Sequence, residues 1–95
     1  MKTVNVSLQV LPGVPECEIY DVVDKAIEYI QSTGVKHIVG PMETTMEGEY
    51  DQLMDIVKRC QEIVFENGAE RVVSVIKIDA KKDGVTMDEK IYKYR

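Results

Sequence analysis

The sequence is poor in the residues on which most site chemistry depends: it has one histidine, two cysteines and fewer bases than acids. His37 has no serine or cysteine nucleophile beside it, which predicts a surface or edge-strand side chain rather than a catalytic base. Cys17 and Cys60 fall within helical patterns, form no CxxC pair and have no ligand-rich neighbours, so neither a disulfide scaffold nor a metal site is expected. The net charge of -5 argues against electrostatic affinity for nucleic acid or for an anionic membrane. There is no apolar block near the start either. Residues 1 to 11 carry one lysine and then alternate apolar with polar side chains, unlike a signal peptide or a membrane span. These absences predict a cytoplasmic protein without a cofactor, whose partners are neutral or cationic.

What is present suffices for one small domain spanning 1–95, with 44% hydrophobic and 31% charged residues. A chain of this size buries only about 60 to 65% of the surface its unfolded form exposes, so association with copies of itself is expected. VNVSLQV, residues 4 to 10, alternates strictly and reads as a half-buried strand. After LPGVP, the apolar positions 19, 22, 23, 26, 27 and 30 define a helix from about Glu16 to Thr33, closed by Gly34. VKHIVG reads as a second strand and Glu43 to Gly48 as a third. A second helix runs from near Tyr50 to the Asn67-Gly68 stop, and RVVSVIKI is the last strand. Gly48 is read as the point where the third strand turns into that helix.

A shift of thirty-four residues superposes Gly34 on Gly68, Ile19 on Leu53, Val22 on Ile56, Ala26 on Cys60 and Ile30 on Val64. Two such strand-helix-strand units in one sheet predict an α+β, ferredoxin-like βαββαβ sandwich with antiparallel strand order 4-1-3-2. Near the C-terminus, Thr86 followed by Glu89 is a capping box. It predicts a short helix with Met87, Ile91 and Tyr94 along one side, docked on this subunit or on a neighbour.

In a two-layer sandwich one face of the sheet is left open, and side-chain parity assigns its residues. With Val4, Val6, Leu8 and Val10 under the helices, Asn5, Ser7 and Gln9 lie on the open face. Met46 inward places Glu43, Thr45 and Glu47 beside them. On the last strand, Val72, Ser74, Ile76 and Ile78 are assigned to the helices, leaving Val73, Val75, Lys77 and Asp79 outward. The valines among them imply cover by a second subunit. The polar patch beside them then needs hydrogen-bond partners, which a small polar ligand would supply.

Other uses of such a fold lack their residues. Strands one and three have no aromatic for stacking bases, LPGVPEC contains no CxxC for metal transfer, and that loop has no arginine for an acylphosphatase site. Glu47 and Glu49 would share a strand face as a carboxylate pair, but acids beside a helix N-terminus are already explained by its dipole.

Four stretches, VNVSLQVLP, GPMETTMEGEYDQLMDIVK, NGAERVVSVIKID and the C-terminal segment with DEK, resemble the small thiamine-binding-protein family, long known only as a domain of unknown function. The resemblance covers almost the whole chain and implies a ferredoxin-like dimer or tetramer that binds thiamine or its hydroxymethylpyrimidine moiety without catalysis. It points to Ser7, Thr44, Thr45 and Glu47 as ligand contacts. Parity adds Asn5 and Gln9, with Val39, Val73 and Val75 as apolar wall. Glu43 departs from the family pattern, where a small residue is expected, and would narrow the pocket or change its ligand. The alternative is a structural or regulatory homo-oligomer with no small-molecule ligand; an enzyme acting on a thiamine precursor ranks third.

Overall fold

A computed structural model describes residues 2–95; Met1, the first residue of the expected domain, lies outside the described residues. The elements follow in the order β1 (Val4–Pro12), a 3-10 turn (Glu16–Glu18), α1 (Ile19–Ser32), β2 (Lys36–Val39), β3 (Thr44–Gly48), α2 (Tyr50–Glu66), β4 (Val72–Asp79), α3 (Asp88–Ile91) and a second 3-10 turn (Tyr92–Tyr94). The four strands form one antiparallel sheet ordered β2-β3-β1-β4, the predicted order read from the other edge.

The two-residue period of β1 makes the core. Val4, Val6, Leu8 and Val10 are buried against α1 and α2, which contribute Val22, Ala26 and Ile30 from one helix and Leu53, Ile56, Cys60 and Val64 from the other. Each such burial contributes about 1.5 to 3 kcal/mol for the larger side chains. The thirty-four-residue repeat is visible at the helix crossing. The Cys60 thiol sits 3.9 Å from the Ala26 carbonyl, so equivalent positions of the two units meet, and both side chains are small enough for the helices to approach there. The units also stop alike. Gly34 and Gly68 end their helices with φ of 75° and 100°, a region that penalises any Cβ.

Several boundaries and faces differ from the sequence reading, each for a local reason. Cys17 lies in an exposed 3-10 turn rather than in α1, because Glu18 N–H closes a tighter turn onto the Pro15 carbonyl at 2.8 Å. β3 begins at Thr44 and not Glu43, whose carbonyl instead accepts from Gly40 N–H at 2.9 Å to close the turn after β2. A Cβ on Gly40 would meet that carbonyl oxygen at 2.9 Å, so the turn needs glycine. Gly48 is not left-handed; its missing side chain makes room for Leu53 at the start of α2. The register of β2 pairs Ile38 with Thr45 and Val39 with Thr44. Ile38 therefore faces the open side, and Val39, expected as pocket wall, faces the helix side at the sheet edge. Ile78 keeps its assigned face but is 40% exposed.

The C-terminal segment folds back onto this same chain. Val85 N–H donates to the Thr3 carbonyl and the Thr3 hydroxyl donates to the Val85 carbonyl, both at 3.1 Å, and Val85 and Met87 are buried. The capping box forms reciprocally: Glu89 N–H donates to the Thr86 hydroxyl at 3.2 Å, and Thr86 N–H to Glu89 Oε1 at 3.1 Å. Tyr94, expected beside Met87 and Ile91, is instead 74% exposed in the final 3-10 turn.

The two cysteines give a test of this packing. Burial pushes the Cys60 thiol from its ordinary value of 9.0 up to about 11. An unfolded chain would ionise that thiol above about pH 9 while the folded protein resists, so its contribution to stability is complete below pH 9 and is lost as pH rises toward 11. Denaturant melts across this range are expected to show the loss and a Cys60→Ala variant to lack that component. A thiol reagent should modify Cys17 in the native protein and Cys60 only on unfolding.

Candidate functional site on the open sheet face

Three polar side chains project from neighbouring positions on the open face. Ser7 and Thr45 are cross-strand partners, and their hydroxyls lie 2.7 Å apart; Asn5 precedes Ser7 by two residues on β1. These three, with Ile38 of β2, floor a pocket of about 460 Å³. One wall is the turn 40–43. The other is the C-terminal segment, through Met87, Lys90, Ile91 and Arg95.

Asn5 is the unusual member. Its residue is only 3% exposed, yet its Nδ2 has no hydrogen-bond partner among the described residues. Its Oδ1 accepts from the Lys90 ammonium at 2.8 Å, and the same ammonium lies 2.6 Å from Asp79 Oδ2. An ammonium only donates, so the amide oxygen must face it and the amide nitrogen must face away. A buried donor left without an acceptor costs about 1 to 3 kcal/mol.

Glu47 has another task. Its Oε1 accepts from Met87 N–H at 2.6 Å, and its Oε2 is 3.6 Å from the Lys36 ammonium. Lys36 in turn reaches Asp88 at 2.7 Å, and the hydrogen bond to Asp88, then the charge of Glu47, raise its pKa. Glu47 thus ties α3 to the sheet with its carboxylate oxygens facing the chain's own groups. Glu43 forms an ion pair with Lys77 at 2.9 Å; Lys77 is the β4 partner of Ser7, so the pair reaches across β1.

Of the six expected contacts, the fold brings together Asn5, Ser7 and Thr45. Thr44, next along β3, points to the opposite face and is 5% exposed in a separate apolar cavity of about 370 Å³ between α1 and the turn 40–43. Gln9 borders that same cavity, and Glu47 is outside both. Parity on β3 forbids Thr44 and Thr45 from contacting one ligand on one side of the sheet. Sequence reasoning missed Ile38, because the β2 register was not fixed, and missed Lys90. The capping box and the spacing of Met87 and Ile91 signalled a docked helix but not the face it would cover.

Chemically, the pocket is lined by the Asn5 amide, two hydroxyls and apolar patches from Ile38, Met87 and Ile91. Ser7 Oγ is partnered by another hydroxyl rather than by a base, an arrangement suited to binding. Among the described residues, no group of three or more His, Cys, Asp or Glu is placed to hold a metal ion, and no helix is long and apolar enough to cross a membrane.

A ferredoxin-like sandwich whose open face carries a small polar pocket under a C-terminal strap defines the class. The sequence model of the family described as thiamine-binding protein matches residues 6–95, and the chain belongs to that family. A UPF0045 protein of Clostridium perfringens is 66% identical over 95 residues, all of both chains, and one of Methanothermobacter thermautotrophicus is 32% identical over 84% of this chain and 83% of its own. Among solved structures, a domain of unknown function from Bacillus cereus superposes with a TM-score of 0.92 at 49% identity, covering 99% of this chain and 91% of its own. A Thermotoga maritima protein to which a part in thiamine biosynthesis or salvage has been ascribed superposes with a TM-score of 0.91 at 44% identity, covering 98% and 99%.

The strap can be tested separately from any ligand. Glu47→Ala removes the acceptor of Met87 N–H and should destabilise the protein by about 1 to 3 kcal/mol. Hydrogen exchange at the Met87 amide should accelerate more than exchange in β1. An unchanged Met87 amide would show that Glu47 does not hold the strap.

Proposed function

We propose that this protein is a non-catalytic, cytoplasmic binder of thiamine or of its hydroxymethylpyrimidine moiety, acting as one domain over 1–95. The observation that carries the reading is the buried, unpartnered Nδ2 donor of Asn5, a residue that lines a pocket of about 460 Å³. An aminopyrimidine supplies a ring nitrogen to accept from it, and its exocyclic amine can donate to the hydroxyls of Ser7 and Thr45. Ile38 and Met87 give the ring an apolar surface. The family's description and the neighbour ascribed to thiamine biosynthesis or salvage support the same ligand class.

Further along the open face, Leu11, Val73 and Val75 are each more than 40% exposed, with Leu11 and Val73 direct cross-strand partners. This patch supports the second part of the proposal, a homo-dimer or homo-tetramer in which a copy covers the sheet next to the pocket. It also favours the alternative reading, a structural or regulatory oligomer with no small-molecule ligand.

Titration calorimetry with thiamine and hydroxymethylpyrimidine, with the oligomer mass measured on the same sample, separates the two. Saturable heat is expected for the wild type, with a loss of about 5-fold to 100-fold in affinity for Asn5→Ala at unchanged mass, from one donated hydrogen bond. An oligomer that gives no heat with either compound would leave the alternative standing.

A further inference from the structure

We propose that Lys90 is a positioning residue that selects which edge of a ligand the pocket accepts, by fixing the orientation of the Asn5 amide. This rests on the reading of the open-face pocket as the pyrimidine site. An asparagine amide has two orientations of similar shape, and one turned freely would present either its oxygen or its nitrogen to a ligand. Here the choice is made from within. Asp79, the β4 partner of Asn5, holds the Lys90 ammonium at 2.6 Å, and that ammonium donates to Asn5 Oδ1 at 2.8 Å. Turning the amide over would set its N–H groups against an ammonium, losing the hydrogen bond and opposing two positive ends. The carboxylate, ammonium and amide thus form a chain of fixed polarity that ends in a donor, Nδ2, turned away from Lys90 on a residue that lines the pocket.

Lys90 is held in place by its backbone. Its N–H donates to the Met87 carbonyl at 3.0 Å, and Met87 N–H is bound by Glu47. The strap over the sheet therefore does more than enclose the pocket: it brings in the cation that sets the polarity of the floor. The ligand class follows. In the pose that sets the ring nitrogen beside C4 on Nδ2 and the C4 substituent on the two hydroxyls, a 4-aminopyrimidine supplies an sp2 acceptor, whereas the 4-oxo analogue carries N–H at that nitrogen and opposes donor to donor.

Two readouts test this. The first needs no ligand: the side-chain amide resonances of Asn5, compared among wild type, Lys90→Met and Lys90→Arg. Lys90→Met should shift or broaden them, and Lys90→Arg, another obligate donor, should keep them near the wild-type positions. The second is the ratio of affinities for hydroxymethylpyrimidine and its 4-oxo analogue. Wild type and Lys90→Arg are expected to favour the amino compound about tenfold or more, and Lys90→Met to bring the ratio toward one. A strap that merely comes loose would weaken both ligands together and leave the ratio unchanged, which would overturn the proposal. If the wild type binds neither compound, the functional reading fails. The amide resonances then decide the orientation claim alone, and resonances unmoved by Lys90→Met would end it.

Discussion

The side-chain period of β1 is the constraint from which the rest of the molecule follows. The strand lies between β3 and β4, so its register binds three strands at once. Val4, Val6, Leu8 and Val10 on one face gather both helices, and a slip of one residue would send all four to the open face and bring Asn5, Ser7 and Gln9 under the helices. The dry core and the polar floor are therefore two consequences of one alternation. The internal repeat adds symmetry around it, with Ala26 and Cys60 meeting at the helix crossing and Gly34 and Gly68 ending the two helices.

The polar side of that alternation is organised by the last residues of the chain. Glu47 binds Met87 N–H, Lys36 binds Asp88, and Lys90 bridges Asp79 and Asn5. The Lys36 and Lys90 ion pairs involve half-exposed groups, and solvent screening leaves each of them a small contribution. Burial of Val85 and Met87 and the pairing of Val85 with Thr3 supply the steadier part of the attachment. The result is a pocket whose floor comes from the sheet and whose lid comes from a segment some eighty residues away in sequence, as the Asn5 to Lys90 contact shows.

Long periodic elements were legible in the sequence, and so were the strand order and the floor residues Asn5, Ser7 and Thr45. All of these depend on side-chain period, which a sequence displays directly. What depended on register or on a long-range contact was not legible. Val39 and Ile38 exchanged roles because β2 is four residues long and carries no clear alternation. Thr44 was carried onto the open face by family likeness although its parity with Met46 already placed it under the helices, where it is 5% exposed. The bond that Glu47 makes to Met87 N–H, forty residues ahead, cannot be seen locally.

Side-chain amide NMR during titration with hydroxymethylpyrimidine shows whether a pyrimidine ligand meets the Asn5 amide on the open face. The Asn5 Nδ2 protons are expected to move downfield in proportion to occupancy, together with the backbone of Ser7 and Thr45. Saturable binding that leaves Asn5 unmoved and instead shifts Thr44, Ile27 and Val23 around the helix-side cavity would place the ligand on the other face and contradict it.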